Sequence, residues 1–410
     1  DCGYRFVQWN SNSTLASADN PYSFIVTKDT TLTAVFEAVA TTGIQQECST
    51  GQTLIYSVDC SSRTATLTGH GDNCTGTLAI PESIIVNGIE FSVTAIGGDA
   101  FKDCSGLTGA LTIPNSITTI GIQAFRDCHN ITTVTLSNSL TELGRYAFSF
   151  CYNLGSIVIP SSLTELSGNT FYECRSITSL HIPATLTSIS QDFDRCSGLT
   201  TITVDADNPV YDSRNNCNAI IKTTTNTLVQ GCQTTVIPTS VTAIGASAFD
   251  GQTNLTSIEI PSSVTTIGEY AFSGSGLTSM IIPQSVTSIG HSAFYYCLSM
   301  QSVVIPNTID ELEFMLFDDC RSLQSITCMA ENPPAVSWST FIEVPSPAVI
   351  NVPCGKVSAY RNVDGWSDFD NIQEVVGCPR TVSVDVNDPS MGTVSGDGTY
   401  TGGATATLTA

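Results

Sequence analysis

Sixteen cysteines, four histidines and a scatter of carboxylates are the residues of this 410-residue chain with types suited to chemistry. Thiolates and imidazoles hold zinc when they recur in pairs such as CxxC. Here no two cysteines form CxxC, and His70, His129, His181 and His291 are dispersed. There is no HExxH, no GxSxG and no phosphate-binding loop. Asp205, Asp207, Asn208 and Asp212 could gather around calcium, but they lack the spacing and the final bidentate Glu of an EF-hand loop. A polar turn accounts for them more simply. The expectation is a chain with no metal, no cofactor and no catalysis.

Sulfur chemistry is the other candidate. Cys104, Cys128, Cys151, Cys174, Cys196, Cys297 and Cys320 each stand three residues after a phenylalanine. Side chains projecting in parallel from repeated units lack the facing Cβ vectors of a disulfide, so these read as buried thiols acting as small hydrophobes. Thiols surviving in an exported protein would suit an oxygen-poor habitat. The other cysteines stay open between disulfide and thiol. Cys217 and Cys232 are equidistant from the centre of a predicted hairpin turn, Cys60 and Cys74 flank a candidate capping hairpin, and Cys354 and Cys378 both lie near the closing segment.

The elements that carry these residues repeat. Phenylalanines stand at 101, 125, 148, 171 and 193, then at 249, 272, 294 and 317, with steps of 22 to 24 residues inside each block. One unit reads Leu255-Thr-Ser-Ile258-Glu-Ile260-Pro261, Ser-Ser-Val264-Thr-Thr-Ile267-Gly268, Glu-Tyr-Ala271-Phe272. Leu255, Ile258 and Ile260 follow LxxLxL, whose last residues alternate in and out as a short strand does. Pro261 has no N–H for the ladder and ends that strand. Val264 and Ile267 bury a second short extended segment, Gly268 permits the turn after it, and Ala271 and Phe272 fill the space between coils. One unit cannot bury its own apolar side, so it must stack on copies of itself. The columns recur as Ile131, Val134 and Leu136, as Leu154, Ile157 and Ile159, and as Leu277, Met280 and Ile282. The predicted fold is a predominantly β leucine-rich-repeat solenoid with short turns and 3-10 segments, capped at both ends.

These units resemble the BspA-like leucine-rich repeat, with its I-P-x-S-V-T-x-I-G-x-x-A-F-x-x-C-x-x-L-T-S-I signature. The likeness covers roughly residues 50 to 377. It includes a closing piece from Asn332-Pro333-Pro334 through Val352-Pro353-Cys354, Tyr360, Gly365-Trp366 and Phe369. The resemblance implies a surface or secreted protein of bacterial type, several relatives of which act as adhesins. Residues 3 to 37 and 380 to 410 resemble the second and first halves of an internalin-type B-repeat. The expected organisation is a half-module at 1–38, an N-terminal β cap at 44–95, repeats at 96–330, a closing segment at 331–378 and a second half-module at 379–410. Within the repeats a β-hairpin insertion is expected at about 205–235, budding from the solenoid where the Phe step jumps to 56 residues. Two split modules suggest excision from a longer exported protein, and their unpaired edges invite chain–chain pairing.

Charge narrows the partners. Thirty-seven acidic against 14 basic residues give a formal charge of −23, a field that repels phosphate backbones and anionic membranes. No apolar run reaches the roughly 18 to 20 residues that span a bilayer. The two residues flanking the fourth LxxLxL position point away from the core. One row is nearly all hydroxyl. The other, on the expected concave face, includes Val158, His181, Glu259, Ile281 and Val304. Apolar side chains there, with Tyr172, Tyr270, Tyr295 and Tyr296 in nearby loops, suit a protein partner. Taken with that row, the family resemblance implies an extracellular or surface-attached adhesin or host-interaction module whose partner is a host matrix or cell-surface protein. The alternatives are a structural spacer or stalk and, with few aromatic platforms in view, a carbohydrate-binding module.

Overall fold

The structure, a computed structural model, describes residues 3–384, 393–402 and 404–409. Short strands and turns dominate it, and the one α-helix among the described residues is Val357–Arg361. No helix among them is long and apolar enough to cross a membrane. The chain divides into two compact units, residues 1–196 and 197–410, each built around a leucine-rich-repeat β-solenoid.

In the first unit, Tyr4–Ser11, Thr14–Ser17 and Leu32–Ala38 make a small antiparallel sheet. The cap follows. Ile44–Glu47, Thr53–Asp59 and Thr64–His70 pair antiparallel, after which Thr64–His70 pairs parallel with Ile89–Ile96. The parallel ladder continues through Thr119–Ile120 and Glu142–Leu143. A second parallel ladder joins Thr108–Thr112, Asn130–Thr135 and Ser156–Val158. Because parallel neighbours need a crossover between them, each coil supplies one rung to each ladder and a turn between. Those turns bury Phe101, Phe125, Phe148, Phe171 and Phe193, whose rings stack nearly parallel with centroids 5.1 to 5.8 Å apart.

In the second unit, Ile220–Lys222 and Thr227–Gln230 pair antiparallel as a hairpin, but it does not bud away. Thr227–Gln230 is the first rung of a parallel ladder with Ala243–Ile244, Thr266–Ile267 and Ser288–Ile289. Leu228 shares the apolar column of Ile244 and Ile267, and detaching the hairpin would expose it. The backbone of Gly231 lies against the Phe249 ring, where an added Cβ would come within 2.1 Å of the ring. A second ladder runs through Ser279–Ile281, Ser302–Ile305, Ser325–Cys328, Val349–Val352 and Asn371–Glu374. Phe249, Phe272, Phe294, Phe317 and Phe341 form the stack, which Trp366 and Phe369 close by packing on Phe341. Burying Tyr and Trp requires partners for their polar ends. Tyr360 Oη donates to Ala330 O at 2.7 Å and Trp366 Nε1 to Pro334 O at 3.0 Å. Pro379–Val382 and Gly398–Thr401 pair antiparallel, while residues 385–392, 403 and 410, within the stretch expected to be a second half-module, lie outside the described residues.

Two details of the coil differ from the sequence expectation. Gly268 is not left-handed. Its hydrogen makes room for the preceding coil, since a Cβ would stand 2.6 Å from Ala246 N, and Gly121, Gly144 and Gly290 would each meet backbone at 2.5 Å. The left-handed residues fall elsewhere, two before and two after the ladder Phe, and most are not glycine. Gln123, Tyr146 and Tyr270 fill the first position, and Asp127, Phe150, Glu173 and Tyr296 the second. Such residues cost roughly 1–2 kcal/mol each in that conformation. The bonds made there offset the strain: Asp127 N donates to Ser149 O, Phe150 N to Tyr172 O and Tyr296 N to Asp318 O, each in the next coil.

Candidate functional site

Sulfur occupies the turns beside the Phe stack. Cys128, Cys151, Cys174 and Cys196 are buried thiols, and each Sγ–H donates to the carbonyl of the ladder Phe one coil back, at 3.1 to 3.3 Å. Cys297 and Cys320 repeat this at 3.2 Å in the second unit. Burial pushes the Cys128 thiol up to about 12 and Cys151 and Cys174 well above the ordinary thiol value. Protonated and enclosed, these three thiols are poor nucleophiles.

Cys104 departs from the column expected of it, because it is bonded to Cys74. Cys74 therefore does not pair with Cys60, which sits in a separate disulfide. The reason is strand length. Cys60 lies at the Asp59–Thr64 turn of the cap hairpin, one seven-residue strand away from His70. The segment after Cys74 instead runs beside the first coil, with Gly76 N donating to Gly106 O and Thr108 N to Gly76 O. Cys217 and Cys232 are both free. A bulge between Ile220 and Ile221 shifts the hairpin register by one, so Cys232 comes opposite Asn218 and donates to its carbonyl at 3.4 Å. Cys354 and Cys378 are bonded. Alkylation of the denatured, unreduced chain should label the ten free described cysteines and leave Cys74, Cys104, Cys354 and Cys378 unlabelled. Peptide mass mapping reads this, and a label on any of those four would remove that bridge.

The outward strand row is ordered by the parallel register. In the first unit Thr112, Thr135 and Val158 stand side by side, and Val158 is 71% exposed. His181 is exposed on its own strand. A groove of about 380 Å³ runs along this row, lined by Thr112, Thr135, Val158 and Pro160 among others. In the second unit Ile281 stands beside Val304, then Thr327, Asn351 and Gln373. Ile281 is 71% exposed, Val304 is half-buried and Glu259 is exposed. A groove of about 590 Å³ lies along Val236, Ser257, Ile258 and Glu259. Val236, itself 72% exposed, is absent from the sequence-derived row because the insertion breaks the repeat count there. Further along, the row turns to amides: Gln373 Nε2 donates to Asn351 Oδ1 at 3.0 Å, and Asn351 Nδ2 to Ser325 Oγ at 3.1 Å.

The loop tyrosines take another place. Tyr172, Tyr270, Tyr295 and Tyr296 line neither groove. They sit in the turns around the Phe stack, where Tyr172 packs on Phe150 with Arg195 above it and Tyr270 packs edge-on to His291. Covering the turns explains them without a ligand. The acidic group is a turn as well. Asn208 Oδ1 accepts from the Val210 and Tyr211 amides, and Asp212 holds Arg214 at 2.7 Å.

Sequence comparison agrees with the coil geometry. A model of the BspA type leucine rich repeat region matches residues 86–218 and 228–341, in six copies. The chain belongs to the BspA type leucine-rich-repeat family. A model of the divergent InlB B-repeat domain matches residues 1–40. Comparison with curated proteins gives no match. Among solved structures, a leucine-rich repeat protein from Eubacterium ventriosum is similar at 22% identity and TM-score 0.56, covering 75% of this chain and 84% of that one. The pneumococcal vaccine antigen PcpA is similar at 17% identity and TM-score 0.55, covering 82% and 99%. A leucine-rich repeat protein from Bacteroides ovatus aligns at 20% identity and TM-score 0.50, covering 78% and 86%. At these identities the likeness is one of fold.

One arrangement has no signature in the sequence. His70, Cys74 and Cys104 bring three ligand-type atoms within 4.8 Å of one another, the one such group among the described residues. Two of them are four residues apart and the third lies thirty further on, so no motif spacing marks the group. The signal available was only that His70 ends a cap strand, Thr64–His70, that pairs on into the parallel ladder.

Proposed function

We propose that this chain is a non-catalytic protein-binding module of an extracellular or cell-surface protein, and that it binds through the outward strand row. One observation carries the reading: Val158 and Ile281 are more than 70% exposed on parallel ladder strands, and Val236 is equally exposed beside the second groove. Apolar side chains held in the open beside grooves mark interaction sites more often than scattered ones do. Membership in the BspA type family and the fold shared with a vaccine antigen support a surface location. The net charge of −23 favours a protein partner over nucleic acid or an anionic membrane.

The test is binding of the purified chain to a panel of purified extracellular-matrix and epithelial surface proteins. Saturable binding is expected for at least one. Val158→Asp in the first unit, or Ile281→Asp with Val304→Asp in the second, is expected to weaken it by about tenfold or more, with thermal stability unchanged. Retained affinity in both variants would sink the assignment of the row. The B-repeat match at residues 1–40 supports a second reading, a spacer that holds other domains away from the cell. Failure of binding across the whole panel favours that reading.

A further inference from the structure

The repeat columns end differently at the start of the array. Within the first stack Phe125, Phe148 and Phe171 each have another ring on either side, but the outer face of Phe101 is covered by His70, stacked at 5.9 Å and 14°. Along the sulfur column each thiol donates to a Phe carbonyl, but Cys104 instead meets His70 and Cys74. His70 Nδ1 donates to Gly71 O at 2.6 Å, which fixes the proton on that nitrogen. The other nitrogen, Nε2, therefore presents a lone pair, and it lies 3.0 Å from Cys104 Sγ. A disulfide sulfur has no proton to give that lone pair. A thiol does, and a metal ion shared with a thiolate satisfies it better. A histidine that donates one N–H to a backbone carbonyl while aiming its second nitrogen at a sulfur has the orientation of a metal ligand.

We propose that His70, Cys74 and Cys104 form a redox-gated site for a zinc-class cation. Oxidised, the two sulfurs are bonded to each other and the site is closed. A dithiol reductant delivers two electrons and two protons, the S–S bond breaks into two thiols, and the reductant becomes its own disulfide. The cation then displaces both thiol protons and is held by Cys74 Sγ, Cys104 Sγ and His70 Nε2, with water in the fourth position. In a tetrahedral zinc site neighbouring ligands stand roughly 3.5–3.8 Å apart. The three atoms already lie within 4.8 Å of one another. The backbone carrying them is fixed by the Gly76–Gly106 and Thr108–Gly76 bonds and by the His70 stack. His70 and Cys74 are only half-buried, leaving a way in for the ion. The remaining column thiols offer no competing site, each being engaged with a carbonyl. The Cys354–Cys378 bridge has no histidine beside it among the described residues.

The test uses cobalt(II), which reports thiolate coordination by a charge-transfer band, followed by zinc competition. Protein reduced with a phosphine and desalted without oxygen is expected to bind one cobalt per chain with that band, and the oxidised protein to show none. Cys74→Ser and His70→Phe should each weaken zinc by at least about tenfold. The phenylalanine keeps a ring on the Phe101 stack and so separates ligand loss from cap disruption. Cys354→Ser should leave binding unchanged. Absence of the band in the reduced protein, or binding that Cys74→Ser and His70→Phe both leave intact, overturns the proposal.

Discussion

Phe148→Ala is expected to destabilise the first unit by about 3–5 kcal/mol, the cost of emptying a fully buried aromatic site. The ring lies between Phe125, 5.1 Å away, and Phe171, 5.8 Å away, and is completely enclosed. A cavity there removes contacts to two coils at once. The surroundings cannot collapse into it, because the coil spacing is set by backbone bonds such as Phe125 N to Ala147 O and Phe148 N to Thr170 O. Solenoid stability is approximately a sum of coil terms and nearest-neighbour interfaces, so the loss should also make the array melt in two steps instead of one. Calorimetry with denaturant unfolding measures both effects. A loss below about 1 kcal/mol would show that the stack is packing filler and not the spine of the array.

Asp192→Ala should cost a similar amount, about 3–5 kcal/mol, for a different reason. Most coils carry a small residue just before the ladder Phe, as at Ala124 and Ala147, whereas this one carries a buried carboxylate. Asp192 Oδ1 accepts from Gly168 N at 3.0 Å, Thr170 N at 3.2 Å and Thr170 Oγ1 at 2.8 Å, and Oδ2 accepts from Ser190 N at 2.8 Å. Alanine leaves these donors without that acceptor inside the protein. Asp192→Asn keeps an oxygen for three of them and sets an amide against Ser190 N, so its cost should fall nearer 1–2 kcal/mol. Desolvation holds the Asp192 carboxyl above its ordinary range. The folded state then binds the proton more tightly than the unfolded chain. Stability from this group is therefore greatest below the unfolded pKa and falls as pH rises through the folded one. Denaturation of wild type and the Asn variant across mildly acidic pH tests the sign, and a wild-type advantage growing with pH would contradict it.

How far the sequence could be read follows from which residues serve one purpose. Phe101 to Phe193, the LxxLxL columns and the buried thiols repeat because an identical neighbour imposes an identical need, and periodicity shows that directly. The closing pair Tyr360 and Trp366 was legible through family resemblance. The left-handed positions were not. Tyr146, Phe150, Glu173 and Tyr296 carry no composition signal for that conformation, since inter-coil bonds and not residue type hold them there. The hairpin of the second unit misled in the same way. Its strands were visible, but a one-residue bulge separated Cys217 from Cys232, and only the ladder places Thr227–Gln230 as a rung. Along the candidate face, Val158 and Ile281 could be picked out by alternation. Val236 could not, because counting in register fails across an insertion.

The ends of the two stacks also bear on how such arrays are inherited. Where the repeat is regular, an interior coil hands its neighbour the same groups it receives: a ring face, and a thiol proton for a carbonyl. An in-frame duplication or loss of one coil would therefore leave no unpaired group behind, and array length can drift between descendants almost without selection against it. The terminal pieces do not have that freedom. His70 covers the face of Phe101 once, and Trp366 with Phe369 closes on Phe341 once. Copying either into the middle would place a unique surface against a repeating one. Variation in length should therefore accumulate between these ends, while the ends themselves travel unchanged.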